Sequence, residues 1–266
     1  MLAETRGTIL SGGTDVFPAL GDRTFSTPVI DISALSEIRG IRFTDDFIHI
    51  GGRTTWSDLL RAALPRGFDG LKAAAREVGG VQIQNQGTIA GNICNASPAA
   101  DGVAALLALD ALVTLASAAE TRTLPLAEFI TGNRQTVRRP GEILTSVQIP
   151  RRLENAATVF LKLGARRYLV ISIVMVAITL LADEGNSIKE AVVCVGSCSA
   201  KAVRLTELES ALAGQQISGR LSGVLRESRL GPLSPIDDIR STAEYRNDAA
   251  NILLERGLRA CMEKLT

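Results

Sequence analysis

The stretch Glu77–Asp110, E-V-G-G-V-Q-I-Q-N-Q-G-T-I-A-G-N-I-C-N-A-S-P-A-A-D-G-V-A-A-L-L-A-L-D, decides how the rest of this 266-residue chain is arranged. It is rich in Gly, Asn and Gln and then becomes abruptly apolar. Gly79-Gly80 indicates a turn, and the alternation over residues 81–86 would place three glutamines on one side of an extended chain. Such stretches are usually simple loops, but loops of this length in compact domains tend to be functional.

The segment Gly87–Asn92 combines small residues with two polar side chains. Its glycines let a backbone turn sharply and approach a ligand closely, and successive N–H groups in such a turn can form a concave anion site. Thr88 and Asn92 add side-chain donors. Because no Lys or Arg stands between Arg76 and Arg122, we expect oriented dipoles rather than full charges to hold a phosphate bound here.

A second turn, Leu10–Asp15 (L-S-G-G-T-D), stands between a strand-like segment and a helix that begins at Val16. Thr14 or Asp15 could simply cap that helix. Alternatively, the Gly12-Gly13 amides and the helix N-terminus could bind a pyrophosphate. The turn is not the G-x-G-x-x-G fingerprint, and no acidic ribose ligand follows at the expected distance, so a Rossmann fold is disfavoured.

Composition excludes several classes of protein. Apolar residues make up 46% of the chain and the net charge is +1, so nothing favours nucleic acid as a partner. The longest apolar run, Leu169–Ala182, is too short to span a bilayer, and no secretory signal is visible, which predicts a soluble, cytoplasmic protein. With one histidine and four scattered cysteines, we expect no zinc site, no iron–sulfur cluster and no Ser-His-Asp triad. Chemistry would have to come from a cofactor.

The pattern of apolar residues changes near Pro150–Arg152, where we predict a domain boundary. Beyond it the sequence predicts an antiparallel sheet of three strands, at 158–163, 171–182 and 188–196. Three helices are predicted to follow, at Leu205–Leu212, Ile217–Leu225 and Ser241–Lys264. The last of these would place one broad apolar face against the sheet. That face consists of Ala249, Ile252, Leu253, Leu258 and Met262.

Three motifs in order resemble the FAD subunits of the molybdenum hydroxylases, the family of xanthine dehydrogenase and of the medium subunit of aerobic carbon monoxide dehydrogenase. They are Leu10–Asp15, the central G-x-Q-I-x-N-x-G-T-I-x-G-N-I-x-N-A-S-P-x-x-D ending at Asp101, and Asp238–Arg246. The resemblance implies an α+β fold. A PCMH-type (vanillyl-alcohol-oxidase-like) FAD-binding domain of two α/β subdomains would occupy 1–150, and a smaller carbon monoxide dehydrogenase flavoprotein-like domain would occupy 151–266.

The resemblance also implies a non-covalent FAD site. Its expected residues are Leu10, Ser11, Gly12, Gly13, Thr14, Asp15, Thr88, Ile89, Ala90, Gly91, Asn92, Asn95, Ser97, Asp101, Leu144 and Lys162. The two glycine-containing segments would cradle the diphosphate, and Asn95, Ser97 and Asp101 would contact the ribityl chain and ring. Lys162 matches a lysine near the flavin's pyrimidine edge, where a cation would stabilise the anionic reduced ring. Lys162 could instead be a snorkelling surface lysine.

The sequence departs from the family pattern at three places. Ala90 replaces a glycine, which would strain the backbone if this position needs a positive φ. Val78 stands where some members place an aromatic residue over the flavin. The first motif also stands close to Met1, without the strand and helix that usually precede it.

By resemblance, a partner subunit carrying molybdopterin would hydroxylate the substrate. A second partner with 2Fe–2S clusters would deliver electrons to FAD on this chain, and an external acceptor such as NAD⁺ or a quinone would receive them. No residue of this chain would be catalytic beyond the flavin. A stand-alone flavin oxidoreductase of the same fold and a scaffold that lost the flavin remain as alternatives.

Overall fold

The computed structural model describes residues 7–217, 223–224 and 231–266. Its amino-terminal unit is small: β1 (Thr8–Leu10) and β2 (Val29–Asp31) pair in parallel, and α1 (Val16–Leu20) lies in the connection between them. The predicted glycine turn therefore joins β1 to α1. The parallel pairing needs this crossover because two parallel strands cannot be joined by a tight hairpin.

The second unit is built on an antiparallel sheet of five strands in the order β3-β4-β9-β5-β6. Its strands are β3 (Ile41–Phe43), β4 (Phe47–Gly51), β5 (Leu112–Ala116), β6 (Thr121–Pro125) and β9 (Ile143–Pro150). The side chains of β4 alternate between the two faces of the sheet, since Ile48 and Ile50 are fully buried while His49 lies on the other face. These two units correspond to the two α/β subdomains that the resemblance implied.

Five α-helices lie between β4 and β5. They are α2 (Trp56–Arg61), α3 (Asp69–Glu77), α4 (Val81–Gln86), α5 (Ile89–Asn95) and α6 (Asp101–Ala108). Thr55 caps α2 in a capping box with Asp58. Thr88 caps α5 by accepting from the Gly91 amide at 3.1 Å, and such caps satisfy donors that a helix end leaves free.

The expectation of an extended chain at 81–86 is wrong, because this segment is helix α4. The backbone amide of Gln84 donates to Gly80 at 2.9 Å, and that of Gly87 donates to Ile83. A six-residue segment with apolar residues only at positions 81 and 83 fits either state. A strand would need a neighbouring strand to receive its hydrogen bonds. A helix satisfies those groups locally.

A short helix and a hairpin connect β6 to β9. They are α7 (Leu126–Phe129), β7 (Ile130–Gly132) and β8 (Gln135–Thr136). The basic string 133–139, which reads most simply as a solvated loop, is thus partly an ordered hairpin.

The carboxy-terminal sheet has four antiparallel strands rather than the predicted three, in the order β10-β11-β12-β13. They are β10 (Ala157–Leu163), β11 (Val174–Ala182), β12 (Ile188–Gly196) and β13 (Val203–Arg204), followed by α8 (Thr206–Leu212) and α9 (Ala243–Leu265). The extra strand β13 is too short to show a period in sequence. Six of the nine residues of the helix predicted at 217–225 lie outside the described residues.

The carboxy-terminal sheet is covered on both faces. Helix α9 packs on β10 and β11, while α3 and α6 pack on the opposite face. This double burial explains why β11 is apolar at nearly every position instead of alternating. The two predicted domains therefore share part of their core, with Met175 and Ala177 of β11 packed among the residues of the first.

One detail of the α9 prediction is wrong. Ile252 is 51% exposed, whereas Ala250, Leu254 and Cys261 are fully buried. The buried face of α9 is therefore rotated slightly about the helix axis relative to the predicted face. No helix within the described residues is both long and apolar enough to cross a membrane.

Candidate functional site

A cavity of about 550 Å³ lies where the β1–α1 turn meets the segment from α4 to α5. Its lining residues are Gly7, Thr8, Ile9, Ser11, Gly12, Gly13, Thr14, Asp15, Val16, Ile32, Trp56, Val78, Ile83, Gly87, Thr88, Ala90, Gly91, Asn92, Cys94, Asn95, Arg138, Ile143 and Leu144. Two motifs separated by more than sixty residues of sequence thus form opposite walls of one cavity.

The two walls touch directly. A Cβ on Gly12 would come 1.9 Å from the Gln86 carbonyl oxygen, so only glycine permits this approach. The Thr88 hydroxyl donates to the Ser11 hydroxyl at 3.3 Å. Sequence-distant residues therefore set the width of the cavity.

The β1–α1 turn leaves its backbone donors free. Gly13 has a φ of +71°, a left-handed conformation that glycine adopts without strain. Among the described residues, no acceptor takes a hydrogen bond from the amides of Gly12, Gly13 or Thr14. Free amides in a glycine turn that faces a cavity suit an anionic group such as a phosphate.

The amino-terminal amides of α5 are already used. The amide of Ile89 donates to Thr54, that of Ala90 donates to Gly52, and that of Asn92 donates to Thr88. This wall consequently offers side chains rather than a backbone cradle. Ala90 also lies inside α5 without a positive φ, so replacing the family's glycine causes no backbone strain here.

Side chains complete the lining of the cavity. Trp56 is 1% exposed, and its ring lies against Gly102, where a Cβ would come 2.2 Å from the indole. The Asn92 side-chain oxygen is buried and has no hydrogen-bond partner among the described residues. An orphaned buried acceptor is costly. A ligand that donates a hydrogen bond there would relieve this cost.

Most of the predicted site residues come together at this cavity. Those that line it are Ser11, Gly12, Gly13, Thr14, Asp15, Thr88, Ala90, Gly91, Asn92, Asn95 and Leu144. The predicted residues outside it are Leu10, Ile89, Ser97, Asp101 and Lys162. Ile89 is fully buried in the core, and the Ser97 hydroxyl accepts from the Ala99 amide at 3.3 Å.

Asp101 and Lys162 form a buried ion pair instead. Their side chains are 8% and 7% exposed, and Lys162 Nζ lies 2.6 Å from Asp101 Oδ2. Ser172 donates to the other carboxylate oxygen at 2.7 Å. Burial raises the pKa of Asp101, against the opposing effects of Lys162 and Ser172. Lys162 is therefore not a snorkelling surface lysine, and its contact with a flavin stays a prediction.

Lys162 lines a second, more open cavity of about 540 Å³. Glu77, at the end of α3, lines this cavity as well, and the Glu77 carbonyl oxygen accepts from Lys162 Nζ at 3.3 Å. The next residue, Val78, lines the first cavity. The end of α3 therefore separates the two cavities.

Sequence reasoning missed Arg138. This arginine follows the β7–β8 hairpin and lines the first cavity, so an anion there would not be held by dipoles alone. The only signal in the sequence was the basic string at 133–139. Such a string does not indicate where in the fold its arginines lie. Trp56 and Ile143 also line the cavity. Because both residues are apolar, the sequence indicates core positions for them rather than a binding site.

Comparisons with known proteins agree with this geometry. The family profile described as "FAD binding domain in molybdopterin dehydrogenase" matches residues 1–152, and the "CO dehydrogenase flavoprotein C-terminal domain" matches residues 160–261. The nicotinate dehydrogenase FAD-subunit of Eubacterium barkeri is 39% identical over 62% of this chain, an alignment that spans 58% of that relative. A putative xanthine dehydrogenase FAD-binding subunit of Escherichia coli strain K12 is 30% identical, over 90% of this chain and 82% of that protein.

A solved structure shows the same fold. Carbon monoxide dehydrogenase from Hydrogenophaga pseudoflava, lacking the Mo-pyranopterin moiety of its cofactor, superposes with a TM-score of 0.91 at 24% identity, covering 99% of this chain and 92% of the matched chain. The chain belongs to the family of FAD-binding medium subunits of the molybdenum hydroxylases, which are oxidoreductases, and its cofactor is FAD.

Proposed function

We propose that this chain is the electron-transfer subunit of a molybdenum hydroxylase and holds FAD non-covalently in the first cavity. When bound, FAD would relay electrons from the 2Fe–2S clusters of one partner subunit to an external acceptor such as NAD⁺ or a quinone. A second partner subunit would carry molybdopterin and hydroxylate the substrate. The observation that carries this proposal is the free-amide turn at Gly12–Thr14 facing the wall that contains Thr88 and Asn92.

Each wall would have its own task. The amides of Gly12, Gly13 and Thr14 would hold the diphosphate without desolvating a charged side chain. Asn92, whose oxygen lacks a partner, would accept from a hydroxyl or ring N–H of the cofactor. Val78 is aliphatic and lines the same cavity, so it would exclude water from the ring without aromatic stacking.

Cys94 supports non-covalent attachment. It is a free cysteine that lines the cavity, and burial raises the pKa of its thiol to about 11. Attack on a flavin requires the thiolate, which would be scarce at neutral pH. Denaturing the flavin-loaded protein should therefore release all of its flavin.

Partners follow from the subunit nature of the relatives. The Eubacterium and Escherichia proteins are named as FAD subunits, and a subunit implies a complex. By this proposal the chain is only one part of an enzyme. Co-purification with a molybdopterin subunit and an iron–sulfur subunit would support it, whereas substrate turnover by the isolated chain would favour a stand-alone flavin enzyme.

The first experiment is a visible absorption spectrum of the purified chain with added FAD, taken after gel filtration. We expect a retained flavin spectrum that denaturation releases into the supernatant. Flavin that remains attached to denatured protein would contradict non-covalent binding. Absence of bound flavin, in the chain and in its co-purified complex, would overturn the assignment of the cavity.

A further inference from the structure

The first cavity contains two charged residues among its described lining residues, Asp15 and Arg138. A carboxylate repels a phosphate, so Arg138 is the only lining residue whose charge would attract one. The positive charge of Arg138 acts on the cavity lining. It lowers the pKa of the Cys94 thiol, although the larger effect, burial, raises that pKa. The guanidinium therefore acts electrostatically on a second residue of the same cavity.

The β7–β8 hairpin, which precedes Arg138, is held against the site by its own residues. The Arg134 amide donates to the Ala96 carbonyl oxygen at 2.9 Å, and the Arg134 guanidinium donates to the Asn95 side-chain oxygen. Asn95 lines the cavity, so the hairpin docks on the carboxy-terminal end of α5, beside the cavity. This docking holds the chain before Arg138.

A buried carboxylate holds the chain that follows Arg138. Glu142 is 2% exposed and accepts two hydrogen bonds from Arg122, at 2.6 and 2.9 Å. The same carboxylate accepts from the Arg139 amide at 2.6 Å. One nitrogen of Arg138 donates to the Glu142 carbonyl oxygen at 3.0 Å. The chain is thus held both before and after Arg138, and none of these contacts pairs the Arg138 guanidinium with a carboxylate.

The arginines of this segment differ in what they pair with. Arg122 pairs with Glu142, and Arg139 pairs with Glu120. Arg138 pairs with no carboxylate within the parts of the chain that the structure describes. A guanidinium has five N–H donors in a planar fork. Within the described residues only one guanidinium nitrogen of Arg138 donates a hydrogen bond, which leaves donors for a ligand.

We infer that Arg138 is the charged contact for the phosphate groups of FAD in this cavity. The inference rests on the proposed function, because it assumes that FAD occupies this cavity. Guanidinium groups bind phosphates through paired, charge-assisted hydrogen bonds. Arg138 would supply the net positive charge that the amides of Gly12–Thr14 lack.

The test compares Arg138→Gln with Arg139→Gln. Arg139 is the adjacent arginine, pairs with Glu120 at the exposed surface and does not line the cavity, so its replacement changes net charge equally. Affinities for FAD and for riboflavin, which lacks phosphate, are measured on the full chain by flavin fluorescence anisotropy. Quenching of Trp56, the single tryptophan, reports that the ligand lies in this cavity.

We expect Arg138→Gln to weaken FAD binding by about tenfold or more while riboflavin affinity stays unchanged. Its FAD affinity should also depend less on salt, and Arg139→Gln should behave like the wild type. Equal FAD affinity in both variants and the wild type would overturn the inference and leave the proposed function intact. An equal loss for FAD and riboflavin would also overturn it, whereas a wild type that binds neither would remove the proposed function as well.

Discussion

Gly12 shows how one residue sets the geometry of the first cavity. Its Cα hydrogens face the Gln86 carbonyl oxygen, and a Cβ would come 1.9 Å from that oxygen. The contact involves backbone, which cannot rotate away as a side chain could. Any other residue must therefore push the β1–α1 turn away from the end of α4.

We predict that Gly12→Ala weakens FAD binding strongly and destabilises the chain by about 1–3 kcal/mol, the usual range for overpacking. Gly185→Ala is the matched control, because that glycine lies in the β11–β12 turn with only the Asp183 side chain nearby, at 3.4 Å. FAD titration and urea unfolding measure the two effects. A Gly12→Ala variant that keeps both affinity and stability would show that the turn can move freely.

Some residues of the motifs line the cavity as predicted from the sequence, and others do not. Ser11, Thr88 and Asn92 were placed in one site from sequence alone, and they line one cavity. Asp101 belongs to the same motif but turns away to pair with Lys162. A motif gives the order of residues along the chain, but the direction of each side chain depends on the helix that carries it.

At the scale of elements, helix α9 is the clearest case of a correct element with a shifted face. Its length and its long apolar stripe are evident in sequence. The buried positions nevertheless include Leu254 and Cys261 and exclude Ile252. A helix rotates to suit the sheet beneath it, and an apolar residue at the margin of the stripe can end on either side.

We predict that Leu254→Ala lowers the free energy of unfolding by about 2–5 kcal/mol, because it leaves a cavity under α9. Ile252→Ala removes a similar volume two residues earlier on the exposed face and should change stability by no more than about 0.5 kcal/mol. Denaturant unfolding of both variants gives the comparison. Equal losses would mean that α9 is rotated so that Ile252 is buried as deeply as Leu254.

At the scale of the whole molecule, the two proposed domains are joined through packing and through ions. Asp101 of α6 and Lys162 of β10 form a buried pair across this junction. Asp69 of α3 and Lys264 of α9 form a second pair, 3.7 Å apart and about half exposed. The first pair is shielded from water and salt, while the second is not.

We predict that Asp101→Asn costs about 3–5 kcal/mol of unfolding free energy, because it leaves the Lys162 charge buried and unpaired. Asp69→Asn should cost less than about 1 kcal/mol, as is typical of exposed pairs. Adding Lys162→Met to Asp101→Asn should recover part of the loss. If the double variant is no more stable than Asp101→Asn alone, the lost stability does not come from the unpaired lysine.

The sequence by itself determined the family, the order of the motifs and most of the strands and helices. Short-range signals carry this information: glycine turns and the apolar periods of the strands and of α9. The tertiary structure alone decided that Arg138 lines the first cavity, that Asp101 pairs with Lys162, and that β11 is buried on both faces. These outcomes depend on contacts between residues that are tens of positions apart in the sequence. The identity of a charged or apolar residue does not indicate which distant residue its side chain will contact.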